Sequence, residues 1–182
     1  MFKDNTNHYG LVSILLHWLI ALGCFGLFVL GWWMVQLDYY NTWYTRAPHI
    51  HKSIGLLLLG LFILSLAWKA LNPAIQPIAS LTAFEQRSSK MAHWLMRLLL
   101  LFTLISGYLI STANGRGIDV FDWFAVPATL TSLPQQESLA GEIHFYLAYG
   151  LCGLALLHAL AALKHHFFDR DNTLRRMLGR RL

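Results

Sequence analysis

A stretch apolar enough to lie in lipid, "GEIHFYLAYGLCGLALLHALAALKHHF", carries His144, His158, His165 and His166. An imidazole can hold a proton, make a hydrogen bond or bind a metal. Placing one in hydrocarbon is costly, so an intramembrane histidine is read first as functional. His144 and His158 are 14 residues apart. On an α-helix that separation is about 21 Å of rise and about 40° short of four full turns. The two rings therefore share one face of one helix, at two depths.

Depth picks their partners from the nine histidines of the chain. His17 falls about 24 Å from Trp33 near the outer end of the first apolar run, and His158 about 28 Å from the start of the last, at 1.5 Å per residue. Both belong toward the cytoplasmic side. His51 opens the second apolar run and His144 lies a turn and a half into the last, so both belong toward the outside. Two matched pairs result, His17 with His158 and His51 with His144. Facing neutral imidazoles on separate helices are how a protein offers both axial ligands to a haem iron, with the porphyrin standing edge-on between helices. Gly23, Gly55 and Gly150 are placed to leave room for macrocycles, although glycine is also common at plain helix contacts. Zinc is the competing reading, but it asks for four ligands gathered tetrahedrally in one place. A single intramembrane histidine that only hydrogen-bonds a neighbouring helix is the plain alternative at each position.

His93 and Arg97 are four residues apart and share a face of the third run, while His165 continues the stripe of His158. These three are candidate contacts for a quinone carbonyl or a haem propionate. The plain alternative is that Arg97 snorkels to headgroups and the two histidines are interfacial. His166 points about 100° off the stripe, and His8 and His49 read as loop residues.

The elements that must position these residues follow from composition. Of the 182 residues 56% are hydrophobic and only 13% charged, against about 25% charged in an ordinary soluble domain. Four apolar runs, at 11–37, 54–71, 91–112 and 139–167, are near or above the roughly 20 residues a bilayer demands. The second helix is taken to start at His51. The fold class is all-α, a four-helix membrane bundle forming one domain over 1–182, with a basic tail at 169–182 that could form a short surface helix. The first run is longer than a signal-peptide core and is followed by further spans, so it reads as a retained helix.

Lysine and arginine placement gives the orientation. Lys3, Lys69, Arg87, Lys90, Arg97, Lys164, Arg170, Arg175, Arg176, Arg180 and Arg181 fall on one side, and Arg46, Lys52 and Arg116 on the other. Both termini are expected in the cytoplasm. The net charge of +5 then reflects contact with anionic headgroups rather than nucleic acid. The outer loops and helix mouths set those three cations against Asp38, Asp119, Asp122, Glu137 and Glu142, a sum of 3 − 5 = −2. Cys24 and Cys152 lie inside spans and read as small buried hydrophobes. No C-x-x-C-H signature for covalently attached haem is present. The outer stretch "IDVFDWFAVPATL" is aromatic and mildly amphipathic, and is expected at the membrane interface.

The words "LLHWL" at His17, "HKSIG" at His51, "SGYLIST", "EIHFYLAYG" at His144, "LLHAL" at His158 and "DNTLRRM" in the tail resemble the bacterial cytochrome b561 family. These are four-helix, di-haem b proteins of the inner membrane, and one branch is a superoxide oxidase that passes electrons to ubiquinone. The resemblance covers essentially the whole chain. It implies two haem b groups, with His17 and His158 on the cytoplasmic-side iron and His51 and His144 on the periplasmic-side iron. It also implies ubiquinone as electron partner near His93 and His165, and an oxidoreductase of the superoxide:ubiquinone type. Superoxide or a periplasmic redox protein would be the donor. A haem-bearing anchor subunit of a hydrogenase or formate dehydrogenase is the alternative in another class, and a haem-free transporter the third.

Overall fold

The computed structural model describes residues 2–78, 80–131 and 133–179. Arg180 and Arg181, counted above in the basic tail, lie outside the described residues. The elements in order are α1 (Leu11–Met34), α2 (Arg46–Ala70), α3 (Ala83–Thr112), β1 (Ile118–Val120), β2 (Phe124–Val126), α4 (Gln136–Phe167) and α5 (Thr173–Met177). Among the described residues the fold is all-α apart from one two-stranded hairpin. The four long helices are each apolar and long enough to cross a membrane. They leave Leu15, Leu19, Leu22, Val29, Leu156, Leu157 and Leu160 exposed on their outer surfaces, as helices solvated by lipid tails do.

Three helices begin earlier than hydropathy suggests. α3 starts at Ala83, eight residues before its apolar run, because "TAFE" builds a capping box. Thr82 Oγ1 accepts the Glu85 amide at 3.2 Å, and Glu85 Oε2 accepts the Thr82 amide at 2.9 Å. α2 starts at Arg46, so His49 sits in helix rather than in a loop, with its ring 6.3 Å from that of Phe121. α4 starts at Gln136, after Gln135 has turned the chain at φ 55°. α1, in contrast, stops at Met34, three residues short of the expected end.

The chain divides into two compact units. The first comprises the described parts of 1–21, 61–97 and 153–182, and the second those of 22–60 and 98–152. Each of the four long helices contributes a segment to both. In the first unit Trp68 Nε1 donates to Ser13 Oγ at 3.0 Å, and Ser13 Oγ donates to Asp4 Oδ2 at 2.7 Å. The tail helix α5 forms as expected and is tied down by Trp18, whose Nε1 donates to the Met177 carbonyl at 2.9 Å.

In the second unit the aromatic stretch "IDVFDWFAVPATL" folds as an antiparallel hairpin, with Ile118 opposite Val126 and Val120 opposite Phe124. Phe121 and Asp122 turn the chain at positive φ, 47° and 59°. Ile118 and Val120 point inward and are buried, while Trp123 and Phe124 are exposed. Ser53, fully buried in α2 two residues from His51, fastens the hairpin. Its hydroxyl accepts the Phe121 amide at 3.1 Å and donates to the Asp119 carbonyl at 3.3 Å.

Candidate functional site

The second unit brings His51 of α2 and His144 of α4 together, with ring centroids 6.2 Å apart. His144 Nδ1 lies 2.9 Å from the Thr103 carbonyl oxygen and 3.2 Å from Ser106 Oγ. A carbonyl can only accept, so this contact assigns the proton to Nδ1 and leaves the lone pair on Nε2. Ser106 Oγ in turn donates to the same Thr103 carbonyl at 2.9 Å. Thr103 Oγ1 bonds back to the Leu99 carbonyl at 2.7 Å, so α3 presents a fixed acceptor. His144 is thereby held in one tautomer and one orientation, as a metal-ligating imidazole is.

Two glycines let the rings approach. A Cβ on Gly31 of α1 would stand 3.1 Å from His51 Cε1, and one on Gly107 of α3 would stand 3.1 Å from His144 Cε1. Neither glycine was singled out from the sequence, although Gly107 lies in "SGYLIST". Of the three that were, a Cβ on Gly23 would meet Leu58 at 3.0 Å, whereas one on Gly55 or Gly150 would meet nothing within 4 Å.

The first unit gathers His17 of α1, Arg97 of α3, His158 of α4 and Lys69 of α2 within electrostatic reach of His93 of α3, and His17 within reach of His158. His93 packs edge-on against His158, with ring centroids 4.9 Å apart. Lys69 near the end of α2 is a member that sequence reasoning assigned only to the cytoplasmic charge count. Lys69 and Arg97 could each pair with a carboxylate at this level. His165 stands apart from this group, with Nδ1 at 2.8 Å from Asp169 Oδ2 and 3.0 Å from Asp171 Oδ2.

These residues can be tested for fit to a haem. An iron held between two imidazoles, with metal–nitrogen bonds of about 2 Å, separates the ring centroids by about 6 Å. The His51–His144 spacing of 6.2 Å meets that demand. His51 Nδ1 is buried without a hydrogen-bond partner among the described residues, and His144 Nε2 has its lone pair free. Neutral nitrogen donors suit haem iron better than a hard cation. In the second unit the residues fit.

Four apolar helices that bring histidines face to face define a multi-pass membrane protein with imidazoles placed to take a metal group. The chain belongs to the prokaryotic cytochrome b561 family, whose model matches residues 8–180. It is 45% identical over 179 residues to cytochrome b561 homolog 2 of Escherichia coli (strain K12), covering 98% of this chain and 95% of that protein. It is 26% identical over 178 residues to the probable superoxide oxidase CybB of Yersinia pestis, covering 95% and 97%. Cytochrome b561 homolog 1 of E. coli (strain K12) is also 26% identical, over 179 residues that cover 96% and 99%.

Proposed function

We propose that the chain is a single-domain carrier in the bacterial inner membrane that uses two b-type haems to move electrons between a periplasmic donor and ubiquinone. The facing pair His51 and His144, 6.2 Å apart with one tautomer fixed, is the observation that carries this reading. His17 and His158 are the ligands of the second haem. When bound, the haems supply the one-electron couples. The chain's own residues would hold the irons through imidazole nitrogens, exclude water with apolar helices and offer cations to the haem carboxylates.

Both termini face the cytoplasm. Nine of the described Lys and Arg residues belong to the first unit (Lys3, Lys69, Arg87, Lys90, Arg97, Lys164, Arg170, Arg175 and Arg176) and three to the second (Arg46, Lys52 and Arg116). That asymmetry supports the orientation. Quinone approaches the first unit, where His93 and Arg97 can donate hydrogen bonds to its carbonyls and His165 stands further along α4. Superoxide is the donor favoured by likeness to a probable superoxide oxidase. Two superoxide anions, each losing one electron to become dioxygen, supply the electrons for one quinone, which takes up two protons to become quinol.

Single substitutions test the pairing. His144→Ala and His158→Ala should each remove one haem per chain and leave the other. Loss of both haems from a variant that still folds, or of neither, would overturn the ligand scheme. Reduction of the purified protein by superoxide, followed by reoxidation with a short-chain ubiquinone, tests the two partners. Failure of either half would remove that partner.

A further inference from the structure

The end of α4 and the turn after it carry a second cluster of ligating groups. Glu85 Oε1 and Asp169 Oδ2 flank the Lys164 ammonium at 3.3 and 2.7 Å. Asp169 Oδ2 and Asp171 Oδ2 both converge on His165 Nδ1, at 2.8 and 3.0 Å. Ligand atoms from Glu85, His165 and Asp169 all lie within 4.8 Å of one another.

The number of donors does not match the number of acceptors. One imidazole nitrogen carries at most one proton, so it cannot satisfy two carboxylate oxygens. Asp171 has only 5% of its side chain exposed. Its Oδ1 accepts the Thr173 amide at 2.8 Å, yet its Oδ2 is buried with no hydrogen-bond partner among the described residues. A buried carboxylate oxygen without a donor is strongly unfavourable. Three carboxylates, from Glu85, Asp169 and Asp171, surround the one ammonium of Lys164, so the cluster keeps anionic charge for a divalent cation that takes the ammonium's place.

We propose that Glu85, His165, Asp169 and Asp171 form a binding site for a divalent transition-metal cation, which displaces the Lys164 ammonium on binding. One imidazole with several carboxylates suits manganese, iron(II) or zinc better than the all-oxygen sets that magnesium and calcium take. The cation would tie the first turn of α3 to the turn between α4 and α5. The proposal does not depend on the electron-transfer reading.

Manganese(II) is the probe. The haem-loaded, chelator-washed protein is titrated with Mn(II) in detergent, and the six-line signal of the free aquo ion is followed by electron paramagnetic resonance. One Mn(II) should bind per chain and be displaced by Zn(II). Asp171→Asn should weaken binding about tenfold or more, because a buried charged ligand becomes a neutral one, with the haem spectrum unchanged. Lys164→Gln should tighten binding, since it removes the competing cation; a purely structural ion-pair cluster would not gain affinity this way. Absence of stoichiometric binding to the unsubstituted protein would overturn the proposal. So would equal affinity in the unsubstituted, Asp171→Asn and Lys164→Gln proteins.

Discussion

Ser106→Ala should raise the midpoint potential of one haem and leave the other where it was. Ser106 is buried, with its hydroxyl 2.9 Å from the Thr103 carbonyl and 3.2 Å from His144 Nδ1. An acceptor at the Nδ1 proton makes an imidazole a stronger donor to its metal and favours the oxidised iron. The Thr103 carbonyl stays in place in the variant, 2.9 Å from Nδ1, so only part of the effect is lost. Taking the lost contact as about 0.5–1 kcal/mol of differential stabilisation, the one-electron conversion of about 59 mV per 1.4 kcal/mol gives a rise of about 20–40 mV. The assay is a spectroelectrochemical titration of the haem-loaded protein, resolved into its two couples. Equal movement of both couples would mean a global effect of the substitution. No movement, or a fall, would refute the claim that Ser106 acts through His144.

Three further outcomes follow from local geometry. Gly107→Ala puts a methyl 3.1 Å from His144 Cε1 and 3.3 Å from its Nδ1, so the ring must turn; the low-spin ferric resonance of one haem should shift while haem content holds. Ser53→Ala leaves the Phe121 amide without its acceptor, at a cost of about 1–3 kcal/mol; hydrogen exchange in 118–126 should speed up before that of the helices. Thr82→Ala removes the capping box and should destabilise the start of α3 by about 1 kcal/mol, visible as faster exchange over residues 83–88 only.

The four spans were legible because lipid imposes one rule on every residue of a helix, and hydropathy sums that rule. The starts of the second and fourth spans put His51 and His144 at matched depth, and the structure has those rings 6.2 Å apart. Helix starts were read less well, because the capping box at Thr82 and Glu85 works through two side chains rather than through apolar length. The signal is present in "TAFE". The hairpin at 118–126 offered no Asn-Gly or Asp-Gly turn; its register depends on Ser53, which is 65 or more residues away in sequence. Contacts of that kind are not local. Gly31, Gly107 and the Thr103 carbonyl escaped for the same reason, since a glycine or a backbone oxygen carries no sign of which imidazole will face it. The stripe rule placed His165 with His158, but it could not show that Asp169 and Asp171 would curl back onto His165. Arg170 turns the chain there at φ 54°.

The central claim is that each chain holds two haems between histidine pairs. The most direct measurement is the haem-to-protein ratio of the purified protein, taken together with its dithionite-reduced minus oxidised spectrum. The expected result is two haem b per chain, both low-spin, with a sharp α-band. One haem per chain, or none, would contradict the pairing of His17 with His158 and His51 with His144.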